Sequence, residues 1–476
     1  MSGHRVVVIG LDSLEPSLAM RYMPRFTYKM SMSFDMLSTL PPDSAIAWPV
    51  AYTGLGLHSL LKTTPFNVEE YKLESSPCLE SSLAKRILGK AYWDRLGQEN
   101  YKVCLLFPYP LNTIVSEMDY HINGMAVFLT ENDELRFFSQ EEEEIVRAII
   151  DTWKKKGHRR ERKNKGFYER FKYDMELFTT KTEILYQILE KDAFDLIYFY
   201  SDILEWLHRF WNTPKYPYLI YKRVEDFLLN LIDSWGDRCL FIIHTDHGIG
   251  SRPRHLLNIA KVASGVLPRK SITIGNIARD FGLRFLLPEI SCRLGLEESV
   301  MYNIYPRIKE KLNLRYTTDF LEIIDEAQKA NSQLFYDPSY ELRDFCGFYI
   351  KDEKALQKLL VALNPYIERL YNGFRDSRLR EIMVPTSNIA MKLKDYCTFR
   401  NHFAPTVIRN PKSKFLPGTH AFKTKLYVFS GPYEIKKLLE NETALLTDIA
   451  PTILGLFGIR QETISGYPLF RVRERQ

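Results

Sequence analysis

Three carboxylates and three imidazoles in this chain stand where one sheet edge could gather them: Asp12, Asp202 and Asp246, with His208, His247 and His420. Each follows an apolar strand-like run or lies in a polar loop. Taken alone, each has an ordinary explanation: Asp12 suits a helix cap, His247 beside Asp246 suits a core pair, and His420 suits a loop. Together they supply hard and borderline oxygen and nitrogen donors enough for two divalent cations, with the hydroxyl of Ser44 able to bridge them. Two cations about 4 Å apart hold both the attacking and the leaving oxygen of an in-line displacement, and coordination makes a hydroxyl nucleophilic near neutral pH. A phosphoryl or sulfuryl centre fits such a site.

Elements able to position these groups are visible in the pattern. Residues 5–10, Arg-Val-Val-Val-Ile-Gly, form a β-branched apolar run that ends just before Asp12, as a buried parallel strand delivering a carboxylate would. The runs 101–108, 195–202 and 239–247 repeat the scheme of apolar strand followed by polar cluster. Helical stretches at 177–191 and 218–234 alternate with them, which predicts an α/β fold with helices on both faces of a mostly parallel sheet. Chemistry is expected in the crevice at the carboxyl ends of those strands. The segment 426–470 returns to strand-then-helix character and is expected to close the sheet.

Two stretches break the alternation. Residues 139–175 begin with Glu141–Glu144, pass through an apolar-periodic segment and then carry Lys154, Lys155, Lys156, Arg159, Arg160, Arg162, Lys163 and Lys165. This helical, basic insertion is expected to be a solvated surface; attraction of a polyanion is the competing reading. Residues 256–410 mix helical runs such as 354–371 with loops and are expected to form an inserted cap domain. The domain organisation expected is thus a core of 1–255 and 411–476 interrupted by that cap.

Composition narrows the class. The 476 residues are 45% hydrophobic and 26% charged, values that exclude disorder, collagen-like repeats and a disulfide scaffold. No apolar run reaches the roughly 18 residues of a membrane span, and strand character begins by Val6, so a cytoplasmic protein is expected. The six cysteines show no CxxC spacing, which points to reduced, partly buried thiols rather than a thiolate zinc site. A net charge of +6 is compatible with anionic ligands and does not demand nucleic acid.

The motifs in order are Val-Val-Val-Ile-Gly-Leu-Asp (6–12), Ser-Thr-Leu-Pro-Pro-Asp-Ser-Ala-Ile-Ala-Trp (38–48) with Thr-Gly-Leu (53–55) and His58, Ser-Asp (201–202) with His-Arg-Phe-Trp (208–211), Thr-Asp-His-Gly (245–248), Gly-Thr-His (418–420) and Thr-Asp-Ile-Ala-Pro-Thr-Ile-Leu (447–454). In this order they resemble the alkaline phosphatase superfamily, and within it the type I phosphodiesterase/nucleotide pyrophosphatase group and its microbial phosphohydrolase/phosphomutase relatives. The resemblance implies an alkaline-phosphatase-like core and two metal sites holding Zn²⁺ or Mn²⁺. Asp12, Ser44, Asp246 and His247 would hold the cation that activates the nucleophile; Asp202, His208 and His420 would hold the other. Ser44 stands nine residues before Thr53, where the family places its nucleophile, so a phospho-serine intermediate hydrolysed by water is implied. Asp448 and Pro451 match a structural helix start without a catalytic role.

Departures from the family pattern are specific. Asp202 and His208 are six apart rather than four, and six residues turn an ideal helix through about 600°, off a common face. Either a loop separates them or Glu205, three before His208, supplies the carboxylate; Asp202 is preferred because it directly follows the strand. The segment after His58 lacks the family's His-Gly and phosphoryl-contacting asparagine; Lys62, Arg252 or Arg254 could replace that contact, and Arg400 and His402 of the cap could reach the leaving group. No Cys-x-Pro-x-Arg context exists for a sulfatase. The function expected is a phosphodiesterase or phosphomonoesterase acting on a small phosphorylated substrate, nucleotide or other, away from membranes. A phosphomutase, or a binding protein with a decayed site, is the alternative.

Overall fold

The computed structural model describes residues 5–61, 79–115, 120–130, 134–139, 143–155, 167–262, 334–337, 344–350, 353–384, 387–399, 406–410, 413, 418–439, 443–460 and 464–474. Its organising strand, β1 (Arg5–Leu11), is buried along its whole length. Val6 and Val8 enter one apolar cluster and Val7, Ile9 and Leu11 the other, so a near-continuous apolar run serves a sheet covered on both faces. The other members of that sheet are β2 (Met32–Leu37), β3 (Val103–Leu106), β4 (Gly124–Leu129), β5 (Leu135–Ser139), β6 (Leu196–Ser201) and β7 (Cys239–His244). After β8 (Gly248–Ser251) and β9 (His255–Asn258), the chain forms β10 (Leu334–Asp337), β11 (Phe345–Ile350), β12 (Ile367–Asn372), β13 (Ile389–Leu393), β14 (Tyr396–Phe399) and β15 (Val407–Arg409). It closes with β16 (Gly418–Ala421), β17 (Lys423–Phe429), β18 (Tyr433–Lys437), β19 (Ala444–Leu445) and β20 (Phe470–Glu474).

The nine-stranded central sheet has the order β19-β2-β17-β7-β1-β6-β3-β4-β5. From β7 to β4 all pairings are parallel. Only β17, against β2 and β7, and the edge strand β5 run antiparallel. This arrangement sets the site: the carboxyl ends of β1, β2, β6 and β7 share one edge. Because β17 runs the other way, its amino end lies at that edge too, and β16 just before it pairs with β8. The mostly parallel α/β fold expected from the alternation is present.

The helices Glu143–Lys155 and Phe167–Lys191 cover one sheet face. Ile145, Ile149 and Trp153, four residues apart on one side of the first helix, are buried in the same cluster as Ile184, Leu185 and Ile188 of the second. Lys154 and Lys155 are exposed, and the rest of the basic run, 156–165, lies outside the described residues. Between β9 and β16, β10-β11-β13-β12 form an antiparallel sheet whose apolar side packs on the helix Glu353–Leu363 as a third cluster. The helix expected over 354–371 stops at Leu363, and residues 367–372 form β12 instead. Pro365 explains the break: it lacks an amide donor, and its ring disfavours helical backbone at Asn364.

This region is tied to the core at two points. Leu40 exchanges backbone hydrogen bonds with Ile382 and Val384. Arg378 donates through Nη2 to both oxygens of buried Asp448, at 3.0 and 2.7 Å. Asp448 also accepts from the amides of Leu445 and Tyr467, which holds the turn leading into the helix Ile449–Leu456. Cys104, Cys239, Cys346 and Cys397 are buried thiols.

Candidate active site

Asp12 follows β1 directly and is buried. Its Oδ2 accepts from Trp48 Nε1 at 3.1 Å and Tyr200 OH at 3.0 Å. Its Oδ1 faces Ser13 Oγ at 3.2 Å, Ser44 Oγ at 3.4 Å and His247 Nε2 at 3.8 Å. Ser44 opens the helix Ser44–Thr53, behind Asp43, whose side chain caps it by accepting from the Ala45 amide. Ser44 Oγ lies 3.0 Å from His247 Nε2. The other ring nitrogen of His247 is 2.9 Å from the Gly248 carbonyl. A carbonyl only accepts, so Nδ1 carries the proton and Nε2 keeps its lone pair on the Ser44 side.

Asp246 and His247 follow β7 and are both fully buried. Asp246 Oδ2 is 3.3 Å from His247 Nε2, and its Oδ1 accepts weakly from the Ser13 amide at 3.4 Å. Ser13 holds a left-handed backbone, φ 62°, which a non-glycine residue adopts only under constraint. That turn sends its hydroxyl to Glu205 Oε1 at 2.5 Å. His420, delivered by β16, donates through Nδ1 to the Pro42 carbonyl at 3.0 Å, and its ring stacks 4.0 Å from that of His247. The His208 ring lies 4.7 Å from the His420 ring.

Two sets of donor atoms emerge, each within 4.8 Å of one another: Asp12, Asp246 and His247, and Glu205, His247 and His420. His208 Nε2 is 3.5 Å from Glu205 Oε1. Six of the seven positions expected from the sequence converge here: Asp12, Ser44, His208, Asp246, His247 and His420. Asp202 lies apart, with its side chain 51% exposed and Oδ1 3.9 Å from Nζ of buried Lys181. The cause is local. Residues Ile203–Trp206 form a 3-10 turn leading into the helix Leu207–Phe210, and it carries Glu205 rather than Asp202 to His208.

The electrostatics suit cations. Burial, with Asp246 and Glu205 nearby, holds the Asp12 carboxyl well above the usual range, and burial pushes Asp246 up to about 8. Burial also raises Glu205, but the imidazoles of His208, His420 and His247 outweigh it and hold that carboxyl well below the usual range. Asp246 Oδ2 and His208 Nε2 are buried with no hydrogen-bond partner among the described residues. Closely packed carboxylates beside imidazoles, with buried ligand atoms left without a hydrogen-bond partner, fit a divalent cation.

Other candidates are placed less centrally. Arg252 donates to the Gly418 carbonyl at 2.9 Å, bracing β16, and the Arg254 amide is directed at Asp395. Lys62, Arg400 and His402 lie outside the described residues. Trp48 and Tyr200, which hold Asp12, were not foreseen, although the sequence carried a sign: Tyr198 and Tyr200 alternate on one face of β6.

The model of the type I phosphodiesterase / nucleotide pyrophosphatase family matches residues 6–365. The chain belongs to this family. No curated protein matches the sequence. Among solved structures it is similar to an inactive variant of murine ectonucleotide pyrophosphatase/phosphodiesterase 5 in complex with AMP, at 12% identity over 98% of this chain and 97% of that one, TM-score 0.47. It is also similar to phosphonoacetate hydrolase from Sinorhizobium meliloti 1021 in complex with phosphonoacetate, at 9% identity over 94% of each chain, TM-score 0.50. At such identities the likeness concerns the fold, which is that of the alkaline phosphatase superfamily. None of the described helices is long and apolar enough to cross a membrane.

Proposed function

We propose that this family member is a metal-dependent phosphoryl-transfer hydrolase acting on a small phosphodiester or phosphomonoester, with Ser44 as nucleophile. The observation that carries this reading is the position of Ser44 Oγ, 3.0 Å from His247 Nε2 and 3.4 Å from Asp12 Oδ1, at the first residue of a helix. Asp12, Asp246 and His247, with Ser44, would hold one cation, zinc or manganese. Glu205, in the place expected for Asp202, would hold a second with His208 and His420. When bound, such cations supply positive charge to phosphoryl oxygens and acidify a neighbouring hydroxyl.

The chain's own residues do the rest. The Gly248 carbonyl fixes the His247 ring so that Nε2 turns its lone pair toward the cation position beside Ser44, the Ser44 proton passes to solvent, and Asp43 fixes the helix end on which Ser44 stands. The helix dipole favours the negative charge that collects there. Ser44 Oγ forms a bond to phosphorus as the bond to the leaving oxygen breaks, and the leaving group takes a proton. Water then attacks phosphorus, the bond to Oγ breaks, phosphate or its monoester departs and the serine regains its proton. Buried thiols are consistent with a reducing compartment such as the cytoplasm.

Acid quenching during turnover of a chromogenic phosphoester, followed by peptide mass analysis, tests this reading. A phosphoryl adduct on the peptide containing Ser44 supports it. Turnover that persists in Ser44→Ala, with no adduct in the wild type, overturns it.

A further inference from the structure

Asp12 divides its two oxygens between different surroundings. Oδ2 takes Trp48 Nε1 and Tyr200 OH at 3.1 and 3.0 Å, which occupies both of its lone pairs. Oδ1 faces Ser13, Ser44 and His247. An indole N–H can only donate, so Trp48 has no alternative role toward this carboxylate. The two donors brace one another, the Trp48 and Tyr200 rings meeting edge to face at 5.2 Å. Gly10 lies in β1, two residues before Asp12. A Cβ there would come within 2.6 Å of Tyr198 OH and 3.0 Å of the Trp48 ring, so the missing side chain is what seats the indole beneath Asp12.

We propose that Trp48 and Tyr200 are positioning residues that commit Asp12 to presenting a single oxygen, Oδ1, to the cation beside Ser44. The inference rests on the reading of Asp12 as a cation ligand. Donors to the oxygen that does not bind fix the carboxylate's orientation, and losing such partners typically weakens metal binding about 10- to 100-fold. Tyr52 supplies the control. It belongs to the same aromatic cluster, stacks on Trp48 and bonds Tyr198 through its hydroxyl at 2.7 Å, but none of its hydrogen bonds reaches Asp12.

The experiment is calorimetric titration of metal-stripped wild type, Tyr200→Phe, Trp48→Phe, Tyr52→Phe and Asp12→Asn with Zn²⁺, without substrate, with thermal melts to confirm folding. Tyr200→Phe and Trp48→Phe are expected to weaken one of the binding events at least about tenfold, and Tyr52→Phe to stay within about twofold of wild type. Excess Zn²⁺ is expected to restore kcat in the first two variants. Should Trp48→Phe fail to fold, Tyr200→Phe alone decides. Wild-type affinity in Tyr200→Phe, or an equal loss in Tyr52→Phe, overturns the positioning role while Asp12→Asn still reports on the cation site. A wild type that takes up neither Zn²⁺ nor, in a parallel titration, Mn²⁺ overturns the functional reading and this inference with it.

Discussion

Ser44 Oγ lies 3.0 Å from Nε2 of His247, across 203 positions of sequence. The parallel order of the sheet produces this meeting: Ser44 opens the helix after β2, and His247 follows β7. Both therefore sit at the same sheet edge, the usual place for ligands in open α/β folds.

Glu205 and Asp202 give opposite expectations. Glu205→Gln should weaken the second cation's binding by at least about tenfold, because Glu205 Oε1 faces His208, His420 and Ser13. Asp202→Asn should leave that affinity nearly unchanged, since its contact is Lys181. Metal content after equilibrium dialysis checks both.

Much of this site was legible in the sequence because its parts lie at strand ends. Asp12, Asp246 and His247 follow apolar runs whose identity as buried strands was plain, and the edge they share follows from parallel alternation. Asp202 was preferred over Glu205 because it directly follows β6; a 3-10 turn of four residues redirects the chain there and brings Glu205, not Asp202, beside His208. Such turns leave no periodic signal. The strand β12 was read as helix because Ile367–Tyr371 continues the apolar rhythm past Pro365, and period alone separates short strands from helices poorly. The hold of Trp48 on Asp12 depends on packing over Gly10, which no local pattern records.

Removing the cations should lower thermal stability. Asp12, Asp246 and Glu205 are left close together at a largely buried site, and a ligand that binds only the folded state stabilises it by mass action, about 4 kcal/mol at a thousand times Kd. Melting of metal-stripped protein should rise on adding Zn²⁺ or Mn²⁺, and Asp246→Ala should abolish most of that rise.

Arg378 and Asp448 clasp the 344–399 region to the core. Arg378→Met leaves a fully buried carboxylate with backbone donors alone and should destabilise by about 3 kcal/mol in urea unfolding. Increased proteolysis within 344–399 before global unfolding would accompany it.

Asp94 provides a pH test away from the site. Burial raises its carboxyl from 3.8 to about 6, partly offset by Tyr120 OH at 2.6 Å. Between about pH 4 and pH 6 the unfolded chain has released this proton while the folded chain still holds it, so stability falls as pH rises through that window. Relative to Asp94→Asn, the wild type should lose about 2 to 3 kcal/mol from pH 4 to pH 7. Equilibrium unfolding of both proteins at several pH values measures it.

The central claim is that Ser44 attacks phosphorus with the help of cations held by the residues around it. Hydrolysis of a chromogenic phosphodiester and its matching monoester, by metal-stripped protein reloaded with Zn²⁺ or Mn²⁺, tests it most directly beside Ser44→Ala. Turnover that requires the cation and falls at least about a thousandfold in Ser44→Ala, with the fold retained, is expected. Turnover indifferent to metal removal, or undiminished in Ser44→Ala, would contradict it.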